Sequence, residues 1–84
     1  MSRIYKVEWT IRHPRASNPF QLGARVQVRR RSKPTYGIIV ATWTQKRSAG
    51  VLEYRNPYVD IIREDNGKVI RIPSDSNNLE VIPK

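Results

Sequence analysis

Arginines carry the most pointed chemical signal in this chain. In Arg25-Val26-Gln27-Val28-Arg29 two valines alternate with polar side chains, and Arg31 continues the polar set. A strand from Ala24 to Arg30 that buries Val26 and Val28 turns Arg25, Gln27, Arg29 and Arg31 to its opposite face. Alternate side chains then stand ~6.6 Å apart, from a rise of ~3.3 Å per residue. Successive phosphates along a nucleic-acid strand lie at a similar ~6–7 Å, so the row is a candidate phosphate-contacting site. Lys33 extends it into the following loop, Lys46 and Arg47 fall in a later one, and Arg12 and Arg15 border it from the N-terminal side. Tyr36 and Tyr54 sit near loop ends, where rings can stack on unpaired bases. Trp43 and Tyr58 end strands and read as core or rim.

Catalysis has little to stand on. His13 is the only imidazole and lies in a proline-flanked loop, far from what a triad or metal site requires. Without cysteine there is no disulfide, thiolate metal site or sulfur nucleophile. Glu64 and Asp65 belong to a turn, where acids are common, and Asp65-Asn66-Gly67 lacks the other ligands of a calcium loop. No glycine-rich phosphate cradle occurs. The expectation is a non-catalytic protein without metal or cofactor.

Charge agrees with the arginine row. Sixteen Lys and Arg face seven Asp and Glu in 84 residues, a net charge of +9. The excess lies in the first half: nine basic residues through Lys33 accompany one acid, Glu8. Such asymmetry points to a polyanionic partner, DNA or RNA. No apolar run reaches membrane-spanning length, and Met1-Ser2-Arg3 leads into a charged, alternating segment, so the expected setting is soluble and cytoplasmic, with no membrane partner.

Elements must position these groups. Ile4 to Ile11 alternates as a half-buried strand with Tyr5, Val7, Trp9 and Ile11 on one face. Two prolines break the chain after His13, and Phe20 and Leu22 are expected to pin that loop to the core. Gly37 to Trp43 is apolar on both faces and reads as a central strand with little exposure. Thr44 to Pro57 reads as a long, partly mobile loop with at most a short strand around Val51 to Tyr54. Asn66-Gly67 then marks a hairpin. A four-residue loop, Glu64 to Gly67, sets Ile61 opposite Ile70 and Asp60 opposite Arg71. Pro73 to Asn78 suits one helical turn, and Leu79 to Ile82 a last short strand.

From Gly23 to Ile82 this succession resembles an SH3-like barrel of the KOW and Tudor type. The resemblance rests on Gly23-Ala24-Arg25-Val26-Gln27-Val28, Tyr36 to Val40, Tyr58 to Ile62, Gly67 to Pro73 and Leu79 to Ile82. It implies an all-β fold: a small barrel of five to six antiparallel strands with one short helical turn and an extra N-terminal strand. The chain is one domain, residues 1–22 forming the strand and loop and residues 23–82 the barrel. An OB-type barrel needs longer strands and an intervening helix. The chain is also similar in outline to the type II dihydrofolate reductases, whose central pore uses a Val-Gln-Ile-Tyr run before a proline. Here Val69-Ile70-Arg71-Ile72 precedes Pro73, and the polar Gln and Tyr positions fall on Ile70 and Ile72. The expected function is therefore phosphate-directed nucleic-acid binding. The alternatives are docking of an acidic protein on the same cations, or assembly into a homo-oligomer through Tyr5, Val7, Trp9 and Ile11.

Overall fold

The computed structural model describes residues 5–29 and 33–83. Its strands are β1 (Lys6–Ile11), β2 (Arg25–Val28), β3 (Thr35–Ala49), β4 (Leu52–Arg63), β5 (Val69–Pro73) and β6 (Leu79–Val81). They form one antiparallel sheet ordered β5-β4-β3-β2-β6, with β1 added to β3. The meander β2 to β5, with β6 returning to β2, has the strand order of a small SH3-like barrel. No described residue is helical, and no helix is long and apolar enough to cross a membrane. Where a helical turn was expected, two hydrogen-bonded turns stand in succession: Ser76 N donates to Pro73 O and Leu79 N to Ser76 O, both at 3.2 Å.

The hairpin between β4 and β5 has the four-residue loop. Arg63 N donates to Lys68 O at 2.9 Å across its base, and Ile61 faces Ile70 while Asp60 faces Arg71. Val26, Val28, Ile39, Val59, Ile61 and Leu79 form the buried core, with Phe20, Ala24, Ile70, Ile72 and Val81 packed against it. Phe20 pins the β1–β2 loop as expected. Leu22 does not: it is 61 % exposed, because the chain turns there toward Gly23 and the side chain leaves the core. Gly37 is required by close approach, since a Cβ there would collide with the Ile61 side chain and lie 2.5 Å from Ile62 O.

The segment expected to be a long loop is paired strand. β3 continues to Ala49, turns through Gly50-Val51, and returns as β4 from Leu52. Gly50 is the only one of the two turn residues at positive φ (61°), the pattern of a type II′ hairpin with glycine first. Pro57 is tolerated because β5 ends opposite Tyr58, leaving β4 an edge strand before that point. β2 occupies one side of β3 along Thr35–Ile38, and β1 occupies the same side along Trp43–Ser48.

A bulge between Ile39 and Ala41 inserts Val40 as the extra residue. The expectation that Gly37 to Trp43 is shielded on both faces fails here: Ile38 and Val40 are exposed, because only the core face of β3 is covered. Along β4, Val59 and Ile61 face the core, so Leu52, Tyr54, Asn56 and Tyr58 face the other way. The β1–β3–β4 arm consequently presents its apolar side opposite to the core side of the barrel. All six residues of β1 are exposed.

Candidate nucleic-acid interface

Strand β2 displays its arginines as alternation requires. Val26 and Val28 are buried while Arg25 and Arg29 are exposed. Both cations, however, are engaged by acids of the same chain. Arg25 Nε and Nη2 donate to the two Glu64 carboxylate oxygens at 2.8 and 3.0 Å, and its guanidinium lies 4.9 Å from the Tyr36 ring centre. That hydrogen-bonded pairing holds Glu64 below the usual carboxylate range. Arg29 Nη2 donates to Glu80 at 3.3 Å, two strands meeting where Gln27 faces Glu80. The Arg25 guanidinium thus lies over one face of the Tyr36 ring, which remains partly exposed. Lys33 is exposed, and Arg31 lies outside the described residues.

Lys46 and Arg47 are neighbours on β3 and so point to opposite faces. Lys46 joins the polar side of the arm, 3.8 Å from Glu53, beside Glu8, Thr10, Thr44 and Arg55. Arg47 lies on the apolar side, its guanidinium 5.1 Å from the Tyr5 ring centre and its register partner Tyr54 half exposed. The seven described cations of the eight expected at one interface are thus divided among the β2 face, the β2–β3 loop, the two faces of the arm, and the β1–β2 loop.

Arg12 and Arg15 do come together. Arg12 continues the ladder beyond β1, its N donating to Thr42 O at 2.8 Å, and Thr42 Oγ1 donates to Arg12 O. Asn18 N donates to Arg15 O at 2.8 Å, Phe20 N to Asn18 Oδ1 at 2.8 Å, and Gln21 Nε2 to Asn18 O at 2.8 Å. This stitched loop lines a depression of about 430 Å³ with Arg12, His13, Pro14, Arg15, Ser17 and Asn18. Arg12 Nε is buried without a hydrogen-bond partner.

The arm's apolar side carries an aromatic cluster that sequence reasoning left in separate elements. The Arg71 guanidinium lies 4.5 Å from the Trp9 ring centre and 4.6 Å from that of Trp43, while the Trp9 ring meets Tyr58 edge-on at 5.0 Å. Asp60 accepts two hydrogen bonds from Arg71, at 2.7 and 3.0 Å, and one from Trp43 Nε1 at 2.8 Å. These bonds, Arg71 foremost, lower the Asp60 pKa against the opposing effect of burial. The Asp60–Arg71 facing was legible in the hairpin; the tryptophans were not, since Trp9 is brought beside Arg71 and Trp43 only by the pairing of β1 with β3. Compared with known protein families, curated proteins and solved structures, the chain matches none.

Proposed function

We propose that this chain is a small, non-catalytic nucleic-acid-binding protein whose affinity comes mainly from phosphate contacts. The balance of its ion pairs carries the reading. Six of the seven carboxylates are engaged by the chain's own cations: Glu8 with Lys6, Glu53 with Lys46 and Arg55, Asp60 with Arg71, Glu64 with Arg25, Asp65 with Arg63, and Glu80 with Arg29. Arg12, Arg15, Lys33, Arg47 and Lys68 stand outside those pairs among the described residues. A surface with that much uncompensated positive charge attracts a dense polyanion. The resemblance of residues 23–82 to KOW and Tudor-type modules is compatible with this role.

Salt tests it. Phosphate neutralisation makes the logarithm of the binding constant fall linearly with the logarithm of salt, by ~0.9 per phosphate on duplex or ~0.7 on single strands. Three to five contacts give a slope of roughly −2 to −5. An acidic protein partner, lacking a condensed counterion layer, gives a shallower, curved dependence. Absence of binding to both a short duplex and a single strand at low salt overturns the reading.

A second reading, self-assembly through the β1 face, is favoured by the exposure of Val7, Ile11, Leu52 and Tyr54 on a side whose one carboxylate, Asp60, is already paired. Such a surface, aromatic and arginine-rich and poor in Lys and Glu, has the composition of a protein interface. Sedimentation velocity over a concentration series, with Ile11→Lys as the disrupting variant, decides it: a wild type that stays monomeric throughout removes this reading.

A further inference from the structure

The β1–β2 loop gathers donors and no acceptor acids. Arg12, His13, Arg15, Ser17 and Asn18 line the depression, and no carboxylate joins them. The loop is held in shape at both ends by β3: Arg12 N bonds Thr42 O, and Gly23 N bonds Ile39 O, each at 2.8 Å. Within it, the Gln21 side chain clasps the backbone of Arg15 and Asn18. These bonds occupy backbone carbonyls and the Asn18 side-chain oxygen, and leave the guanidinium groups unmatched.

The β2 cations have found acids in Glu64 and Glu80, whereas neither Arg12 nor Arg15 pairs with one among the described residues. Arg12 Nε is buried and closed to any ligand, so an anion in the depression meets this guanidinium through its Nη groups. An oxyanion supplies the missing counter-charge, and the planar guanidinium matches a phosphoryl group in two-point fashion. The space exceeds that of a bare anion, so the sugar attached to a phosphate can enter with it.

We propose that this depression is a phosphate-binding site that anchors a nucleic-acid backbone or a terminal phosphate, with Arg12 and Arg15 as its principal ligands. The proposal rests on the nucleic-acid reading and gives it a location: the stitched loop, in preference to the β2 row whose arginines are internally paired.

Titration of the full chain with inorganic phosphate, and with a short single strand bearing or lacking a 5′-phosphate, tests it by calorimetry. Arg12→Lys keeps the charge but removes the fork, and about tenfold weaker phosphate binding is expected. Arg15→Gln, at an exposed position, gives a comparable loss without touching packing, so the test survives if the Arg12 variant fails to fold. Arg55→Gln, on β4 and paired with Glu53, is the charge control and should change affinity less than twofold on the scale of surface charges. Tighter binding of the 5′-phosphorylated strand assigns the site to a terminal phosphate; equal binding assigns it to the backbone. Equal losses from Arg55→Gln and Arg15→Gln, or unchanged binding in both loop variants, overturn the site while strand binding by the wild type leaves the nucleic-acid reading standing. Phosphate binding without any strand binding does the reverse: the anion site stands and the nucleic-acid reading falls.

Discussion

Arg71 is fastened to Asp60 by two hydrogen bonds, 2.7 and 3.0 Å long, across the β4–β5 pair. The same guanidinium fills the space between Trp9 and Trp43, so one ion pair ties the barrel hairpin to the N-terminal strand. Arg71→Ala removes the Asp60 counter-charge and the stacking surface together. A loss of about 1–3 kcal/mol is expected, the scale of hydrogen bonds to a charged group. Urea denaturation measures it; a cost below ~0.5 kcal/mol, the size of an ordinary surface change, means that the arm is held by other contacts.

Acid should loosen the same junction. The Asp60 pKa is lowered in the folded state from its ordinary 3.8, chiefly by the Arg71 hydrogen bond. A depressed carboxylate contributes stability that is present above its unfolded pKa and lost as pH falls through the folded one. The contribution of Asp60 to stability should therefore hold steady down to the ordinary 3.8 and be lost below it, as a decline in melting temperature. Asp60→Asn should be less stable at neutral pH and show a shallower acid decline; an equally steep decline places the acid sensitivity elsewhere.

Gly37→Ala asks for space the barrel does not have. The added carbon meets the Ile61 side chain and the Ile62 carbonyl, and Ile61 is fully buried. Overpacking of this kind costs about 1–3 kcal/mol. Thermal unfolding of the variant reads the loss, and a neutral result shows that β3 and β4 can separate locally.

Removing acids should strengthen nucleic-acid binding. Glu64→Gln with Glu80→Gln frees Arg25 and Arg29 from their internal partners. If phosphates are the ligand, the salt slope should steepen by roughly one to two, about one per newly available contact. An unchanged slope means that the β2 face does not meet the strand even when its arginines are released.

Local periodicity was enough to determine much of the fold. Val26 and Val28 alternate with Arg25 and Arg29, and the apolar runs around Asn66-Gly67 admit a register in which Ile61 meets Ile70. Both are settled within a strand or a hairpin, because side chains change face at every residue and misregister exposes the core set. Thr44 to Pro57 escaped because its apolar residues Leu52 and Tyr54 line the side opposite the core, so the pattern that marks a core strand inverts along β4. What the cations do was decided only in three dimensions. Arg25 meets Glu64 39 residues away and Arg29 meets Glu80 51 residues away. Arg12 is left with a buried, unpartnered nitrogen because its loop closes over β3. Alternation tells which way a side chain points; which charge waits there depends on strands brought alongside by the whole sheet, and no local pattern encodes that.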